Sequence, residues 1–160
     1  MHRIDQTVAD AINDATSLYH RLVLVVGPSG SGKTGAVRRV AISHPCPCLN
    51  VNLELSKQML NLTGRQRSLQ ALTVLRDLIK DAGDDTVVLD NNEILFDRTL
   101  QLDPLRVLKE LSRTKTIVAT WNGHIDKNSL DYAEPDHPEY QHYPISEVDF
   151  VYVTTEGKEA

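Results

Sequence analysis

The sequence predicts a three-layer α/β fold, with helices on both faces of a mostly parallel five-stranded sheet, and three observations lead there. A glycine-rich run, G-P-S-G-S-G-K-T at positions 27–34, lies between an apolar run and a segment of helical periodicity. A second apolar run, T-V-V-L-D at 86–90, ends on an acid. Around them, short apolar runs alternate with helical patterns, as right-handed crossovers between parallel strands require.

Ile4, Val8, Ile12, Ala15 and Tyr19 recur at helical spacing, which predicts an amphipathic helix over residues 5–20 that covers the sheet. Residues 22–26 form the first strand, and the glycine-rich run leads into a helix over 33–43 that ends before His44-Pro45, because a residue before proline avoids the α region. L-N-V-N-L-E-L at 49–55 alternates at period two and reads as a second, half-exposed strand. After a break at Thr63-Gly64, Leu69, Leu72, Leu75, Leu78 and Ile79 continue a helix that returns to the third strand at 86–90. Asp103 as N-cap and Pro104 at the first helical position start a helix through Leu105, Leu108 and Leu111. Residues 116–120 and 148–153 are the fourth and fifth strands. The segment 122–147 between them, crowded with proline, tyrosine and histidine, reads as an irregular contact loop. His137, His142, Asp136 and Glu139 in it fall in no helical register that would align them on a metal.

At 160 residues and 41% apolar the chain suits a single domain over 1–160. A formal charge of −5 with interspersed signs gives no general pull toward nucleic acid or an anionic membrane. Arg65, Arg67 and Arg76 form one local basic cluster, and Arg106, Lys109, Arg113 and Lys115 another. Solvated helix faces account for each, and Arg65 and Arg67 at a helix start are the modest candidates for direct DNA contact. No apolar stretch is long enough to span a membrane and the N-terminus lacks a leader's apolar segment, so a cytoplasmic protein without membrane association is expected. Cys46 and Cys48 flank Pro47 too closely for a relaxed disulfide and read as reduced thiols; with His44 they still lack a second cysteine pair for zinc.

The run at 27–34 matches the phosphate-binding pattern G-x-x-x-x-G-K-[ST], and strand, loop and helix stand in the order that pattern needs. Gly27, Gly30 and Gly32 let the backbone wrap a phosphate, Pro28, Ser29 and Ser31 complete the loop, and the following helix adds its dipole. Lys33 is expected on the β and γ phosphates, and Thr34 and Asp90 on Mg²⁺. The ligand so implied is a nucleotide with Mg²⁺ in a P-loop NTPase core. A glycine-rich turn matching by chance is the plainer alternative, against which stands the order of strand, loop and helix.

V-V-G-P-S-G-S-G-K-T (25–34), N-L-E-L-S-K-Q-M-L (52–60), T-G-R-Q-R-S-L (63–69), V-L-D-N-N-E-I-L-F (88–96), D-P-L-R-V-L-K-E-L-S-R (103–113), T-W-N-G (120–123) and Y-A-E-P-D-H-P-E-Y (132–140) together resemble the BrxF family, small P-loop proteins of type III bacteriophage-exclusion (BREX) defence systems. That resemblance implies an ATP-binding bacterial protein that restricts phage beside a large ATPase, an alkaline-phosphatase-like protein and a DNA methyltransferase.

The strand order is also similar to the core of AAA+ ATPases, with departures. Asn91 stands where those proteins carry a glutamate after the Walker B aspartate, and Glu93 is the nearest carboxylate. If the strand continues, Glu93 faces away from Asp90; if the backbone turns after Leu89, it comes round. Asn122 matches the polar sensor position, or is a turn residue beside Gly123. Residues 122–147 hold no arginine, so Arg113 is the nearest substitute for an arginine finger offered to a neighbouring subunit, or a helix-end cation. No AAA+ helical lid is expected, since the sequence runs only a few residues past the fifth strand.

The first reading is a Mg²⁺-dependent ATPase, slow alone and faster as a homo-oligomer, with Glu93 or Asn91 placing water and Asn122 sensing. Its rival is a non-hydrolysing, ATP-gated module that docks partner proteins through 122–147. A small-molecule kinase lacks an arguable acceptor pocket, and a GTPase lacks an N-K-x-D motif.

Overall fold

Alternation along the strands sorts the apolar side chains into two layers. The computed structural model describes residues 3–155. In chain order they form α1 (Arg3–Ala15), β1 (Leu22–Gly27), α2 (Lys33–Ser43), β2 (Cys48–Asn50), α3 (Val51–Gln58), α4 (Gly64–Ala82), β3 (Thr86–Asp90), α5 (Pro104–Leu111), β4 (Thr116–Ile125), β5 (Ser129–Tyr132), β6 (Gln141–Pro144) and β7 (Val151–Thr154). Leu22, Leu24 and Val26 of β1, Val87 and Leu89 of β3, and Ile117, Ala119 and Trp121 of β4 share one core with α3, α4 and α5. Val23, Val25, Val88 and Val118 share the other with Val8, Ala11 and Ile12 of α1 and Val37 and Val40 of α2. Strands covered on both faces need no polar alternation, which is why these runs are continuously apolar.

The sheet runs β2-β3-β4-β1-β7 with every neighbour parallel, and β5 and β6 add antiparallel pairs off the end of β4. The fold is therefore α/β and mostly parallel, but seven-stranded rather than five-stranded. The two extra strands lie in the segment expected to be an irregular loop: β4 continues five residues past Thr120 to Ile125, and β5 and β6 pair Leu130 with Tyr143. Proline and histidine density hid a hairpin that Trp121, Leu130, Tyr132 and Tyr143 bury together.

Residues 49–55 are corrected too. The strand stops at Asn50, whose side chain caps α3 by accepting from the Leu53 amide. Leu49, Val51, Leu53 and Leu55 fit period two, but Val51, Leu55 and Met59 fit a helix, and these are the ones buried, while Leu53 is exposed. The N-terminal helix ends at Ala15 rather than residue 20, leaving Tyr19 exposed. It packs on α2 and β7, and Arg39 of α2 clamps the buried Asp5 with two bonds of 2.7 and 2.9 Å. The last strand begins at Val151, not at residue 148.

Several of the clustered basic residues are engaged by protein groups: Lys109 pairs with Asp149, Arg76 and Arg106 with Glu110, and Lys115 donates to the Ile79 carbonyl. Cys46 and Cys48 are free thiols, each pushed above the usual thiol range chiefly by burial. Among the described residues no helix is long and apolar enough to cross a membrane.

Candidate functional site

Parallel strands deliver their C-terminal ends to one edge of the sheet, and the loops that leave them build a site there. The register aligns Gly27 at the end of β1 with Asn122 of β4, and Asn50 at the end of β2 with Asp90 of β3. Between these ends lies a pocket of about 360 Å³ lined by Ser29, Gly30, Gly32, Lys33, Thr34, Asp90, Asn91, Glu93, Thr120 and Asn122.

The glycine-rich loop leaves β1 and turns back on itself through left-handed backbone at Gly30 (φ 79°) and Gly32 (φ 96°), a conformation side chains disfavour. Gly32 then starts α2, so Lys33 and Thr34 sit in its first turn. Lys33 is buried, and its ammonium donates to the Gly27 carbonyl at 2.9 Å and the Pro28 carbonyl at 2.7 Å. Burial pulls its pKa below the ordinary lysine value, against an opposing pull from Glu93 and Asp90. Charged and folded back on its own loop, the ammonium spans the concavity where an anion would lie.

Thr34 donates to Asp90 Oδ1 at 3.1 Å, and Thr120 of β4 donates to the same oxygen at 2.9 Å. Asp90 Oδ2 is buried without a hydrogen-bond partner among the described residues. A buried carboxylate oxygen with nothing to bond is costly unless a cation meets it, and beside the Thr34 hydroxyl it belongs to an all-oxygen donor set of the kind Mg²⁺ takes. The residues present fit that ion.

β3 ends at Asp90, and Asn91 takes the left-handed conformation at φ 52°, tolerable for asparagine. This turn decides the position of Glu93: it starts a 3₁₀ turn and enters the same pocket as Lys33 and Asp90. Asn122 donates to Glu93 Oε1 at 2.7 Å and Asn52 of α3 donates to Oε2 at 2.9 Å. Asn52 also accepts from the Ile94 amide, and its own amide donates to the Asn91 carbonyl.

Of the sequence-derived candidates, Ser29, Gly30, Gly32, Lys33, Thr34, Asp90, Asn91, Glu93 and Asn122 meet here, with Gly27 and Pro28 supplying the carbonyls that hold Lys33. Asn91 shapes the turn as well as lining the pocket. Arg113 does not join them. It follows α5 and precedes β4, at the opposite edge of the sheet about 20 Å away, where its guanidinium lies 4.5 Å over the Tyr19 ring.

Three residues at or beside the site carry no functional signal in the sequence: Asn52, in a segment whose period-two pattern suggests a strand but which forms α3, Thr120 within β4, and Asn92. The buried Asn92 amide donates to the Leu89 and Thr120 carbonyls, locking the ends of β3 and β4 together. The spacing of Val51, Leu55 and Met59 was the signal that could have placed Asn52 at a helix start.

No protein-family model matches the chain, and no curated protein matches it. Among solved structures it is similar to that of C. elegans PCH-2, with a TM-score of 0.39 and 21% identity over 78% of this chain and 36% of that one. The chain thus spans little more than a third of that protein's length in the structure.

Proposed function

We propose that the chain is a cytoplasmic P-loop protein that binds ATP with Mg²⁺ and hydrolyses it, slowly alone and faster as a homo-oligomer, within a bacterial anti-phage assembly of the BREX kind. The observation that carries the nucleotide reading is the unpartnered, buried Asp90 Oδ2 in a pocket it shares with Lys33, Thr34 and Glu93. One anion-seeking cation, one orphaned carboxylate oxygen and one further carboxylate are what a phosphate–metal–water arrangement uses.

Thr34 and Asp90 would hold Mg²⁺, which supplies positive charge against the phosphate oxygens. Lys33 exchanges its two loop carbonyls for phosphate oxygens, so its desolvation is already met before ligand arrives. Glu93 orients a water and takes its proton as the water oxygen bonds to the terminal phosphorus and the bond to the bridging oxygen breaks. Asn52 and Asn122 keep the Glu93 carboxylate from rotating, and Asn122 stands where it would register the terminal phosphate.

The defence role rests on the resemblance to the BrxF family. Four blocks that carry it meet at or beside this pocket: 25–34 supplies Lys33 and Thr34, 88–96 supplies Asp90 and Glu93, 120–123 supplies Thr120 and Asn122, and 52–60 supplies Asn52, which bonds Glu93. A large ATPase, an alkaline-phosphatase-like protein and a DNA methyltransferase are the partners proposed on that ground.

A second reading, an ATP-gated docking module without turnover, is favoured by one feature. Both oxygens of Glu93 already accept hydrogen bonds, and the residue next to Asp90 is an amide rather than an acid. Turnover against protein concentration, with Mg²⁺ and then EDTA, in wild type, Lys33→Ala and Glu93→Gln, separates the two. Rate per chain that rises with concentration and vanishes in both variants supports the oligomeric ATPase; Mg·ATP binding without turnover selects the module; no binding at all overturns both.

A further inference from the structure

Beyond Glu93 and Asn122 the pocket opens into a larger cavity of about 670 Å³, walled on its far side by the β4–β5 hairpin and the turn after it. Ser29, Glu93 and Asn122 line both spaces, so an occupant of the cavity would stand next to the site assigned to the terminal phosphate. Its size is that of a small-molecule site.

Three carboxylates line it, Glu93 inside and Glu134 and Asp136 at the mouth, with no lysine or arginine among the lining residues. The two lining histidines are engaged by protein groups: His137 Nδ1 accepts from the Glu139 amide at 2.9 Å, and His124 Nε2 lies 3.4 Å from Asp131. Arg98, the near cation, spends its guanidinium on the Pro138 carbonyl and pins the rim.

The interior wall is Tyr132, 4% exposed and stacked on Phe96 with centroids 3.4 Å apart. Its hydroxyl carries no hydrogen bond to a described residue, and burial beside Glu93 and Glu139 keeps the phenol protonated. Tyr132 lines the cavity, and its hydroxyl oxygen can accept a hydrogen bond from a ligand N–H there. Ala133 holds the mouth in place from a left-handed conformation (φ 62°), with its amide bonded to the Asn122 carbonyl at 2.8 Å. Such strain in a non-glycine residue persists where the surroundings fix a functional shape.

We propose that this cavity binds a small organic cation, an ammonium or guanidinium on a short aliphatic stem, set against Glu93, Glu134 and Asp136. The stem lies along Pro28, Ala133 and Pro138, and the charge faces both the carboxylates and the neighbouring phosphate. Because opposite charges across Glu93 and Asn122 attract, cation and nucleotide tighten one another by the same factor, about 5-fold or more. The coupling rests on the ATP reading of the smaller pocket; the cation site does not.

Calorimetric titration of agmatine and of spermidine into the full chain, with and without Mg²⁺ and a non-hydrolysable ATP analogue, tests this. The expected result is saturable binding of at least one, tightened by the analogue, and weakened about 10-fold or more in the Glu134→Gln/Asp136→Asn double variant, whose analogue affinity measured alone is unchanged. A control double variant on α1, Asp10→Asn/Asp14→Asn, removes the same charge elsewhere and should bind as wild type. Analogue binding with neither cation bound, or equal losses in the two double variants, overturns the cation site and leaves the proposed function standing. Cation binding without analogue binding overturns the proposed function and the coupling, and leaves the site.

Discussion

Asn122 donates its side-chain amide to Glu93 Oε1 across 2.7 Å, which ties the end of β4 to the turn leaving β3. Asn52 holds the other oxygen from α3, so one carboxylate joins three elements that are far apart in the chain. If Glu93 is the base, Asn122 acts through it as a positioning residue. Asn122→Ala should lower kcat by about 10-fold to 100-fold with KM for ATP little changed, while Glu93→Gln should lower kcat by about 10²-fold or more and still bind ATP. Equal loss of binding and turnover in Asn122→Ala would assign it to nucleotide contact instead.

Asp90 Oδ1 is satisfied by Thr34 and Thr120, whereas Oδ2 has no partner among the described residues. Asp90→Asn keeps the hydroxyl contacts and removes the charge. Nucleotide affinity in Mg²⁺ should fall about 10-fold or more, to the level wild type shows in EDTA, as read by titration of a fluorescent ATP analogue. A variant that still responds to Mg²⁺ as wild type does would remove Asp90 from the metal set.

Tyr132 and Tyr143 both hold their protons well above the ordinary tyrosine range, Tyr132 through burial and then Glu93, Tyr143 through burial and then its 2.9 Å bond to Asp103. Each phenol binds its proton more tightly folded than unfolded. Their contribution is therefore complete below about pH 10 and is lost as the pH rises above it, because the unfolded chain ionises first. Unfolding free energy should fall above about pH 10 by up to about 1.4 kcal/mol per pH unit for each phenol, read as a falling thermal midpoint, and less steeply in Tyr143→Phe. Phenolate absorbance for these two should appear only with unfolding.

Gly123 lets β4 pass close to β5. A Cβ there would lie 1.9 Å from the Asp131 carbonyl oxygen and 3.1 Å from Trp121 Nε1, the two atoms that now hydrogen-bond to each other at 3.0 Å. Gly123→Ala should destabilise the chain by about 3 kcal/mol in chemical denaturation, because the obstacle is backbone. A cost near that of an exposed substitution would mean that the hairpin separates from β4 freely.

The glycine-rich run, the apolar runs of β1, β3 and β4, and the capped starts of α4 and α5 are local signals, readable from the chain alone. Thr63 and Gln66 form a reciprocal capping box, and Asp103 caps α5 with Pro104 behind it. Residues 49–55 show where such reading stops. Period two and period 3.6 are both written there, and only the packing of Val51, Leu55 and Met59 against the core chooses the helix. The antiparallel hairpin was illegible for a related reason: its strands are four residues each, and their stability comes from Trp121, Phe96 and Tyr132 stacking across elements.

The sequence by itself determined the α/β class and the parallel core and marked Lys33, Thr34 and Asp90 as candidates, because each follows from a pattern within a few neighbouring residues. Tertiary structure alone decided where Glu93 lies. Its placement depends on a left-handed Asn91 and on amides from Asn52 and Asn122, 41 and 29 residues away along the chain. A hydrogen bond between distant segments has no period and leaves no local mark in the sequence; it exists only once the sheet has brought the strand ends together.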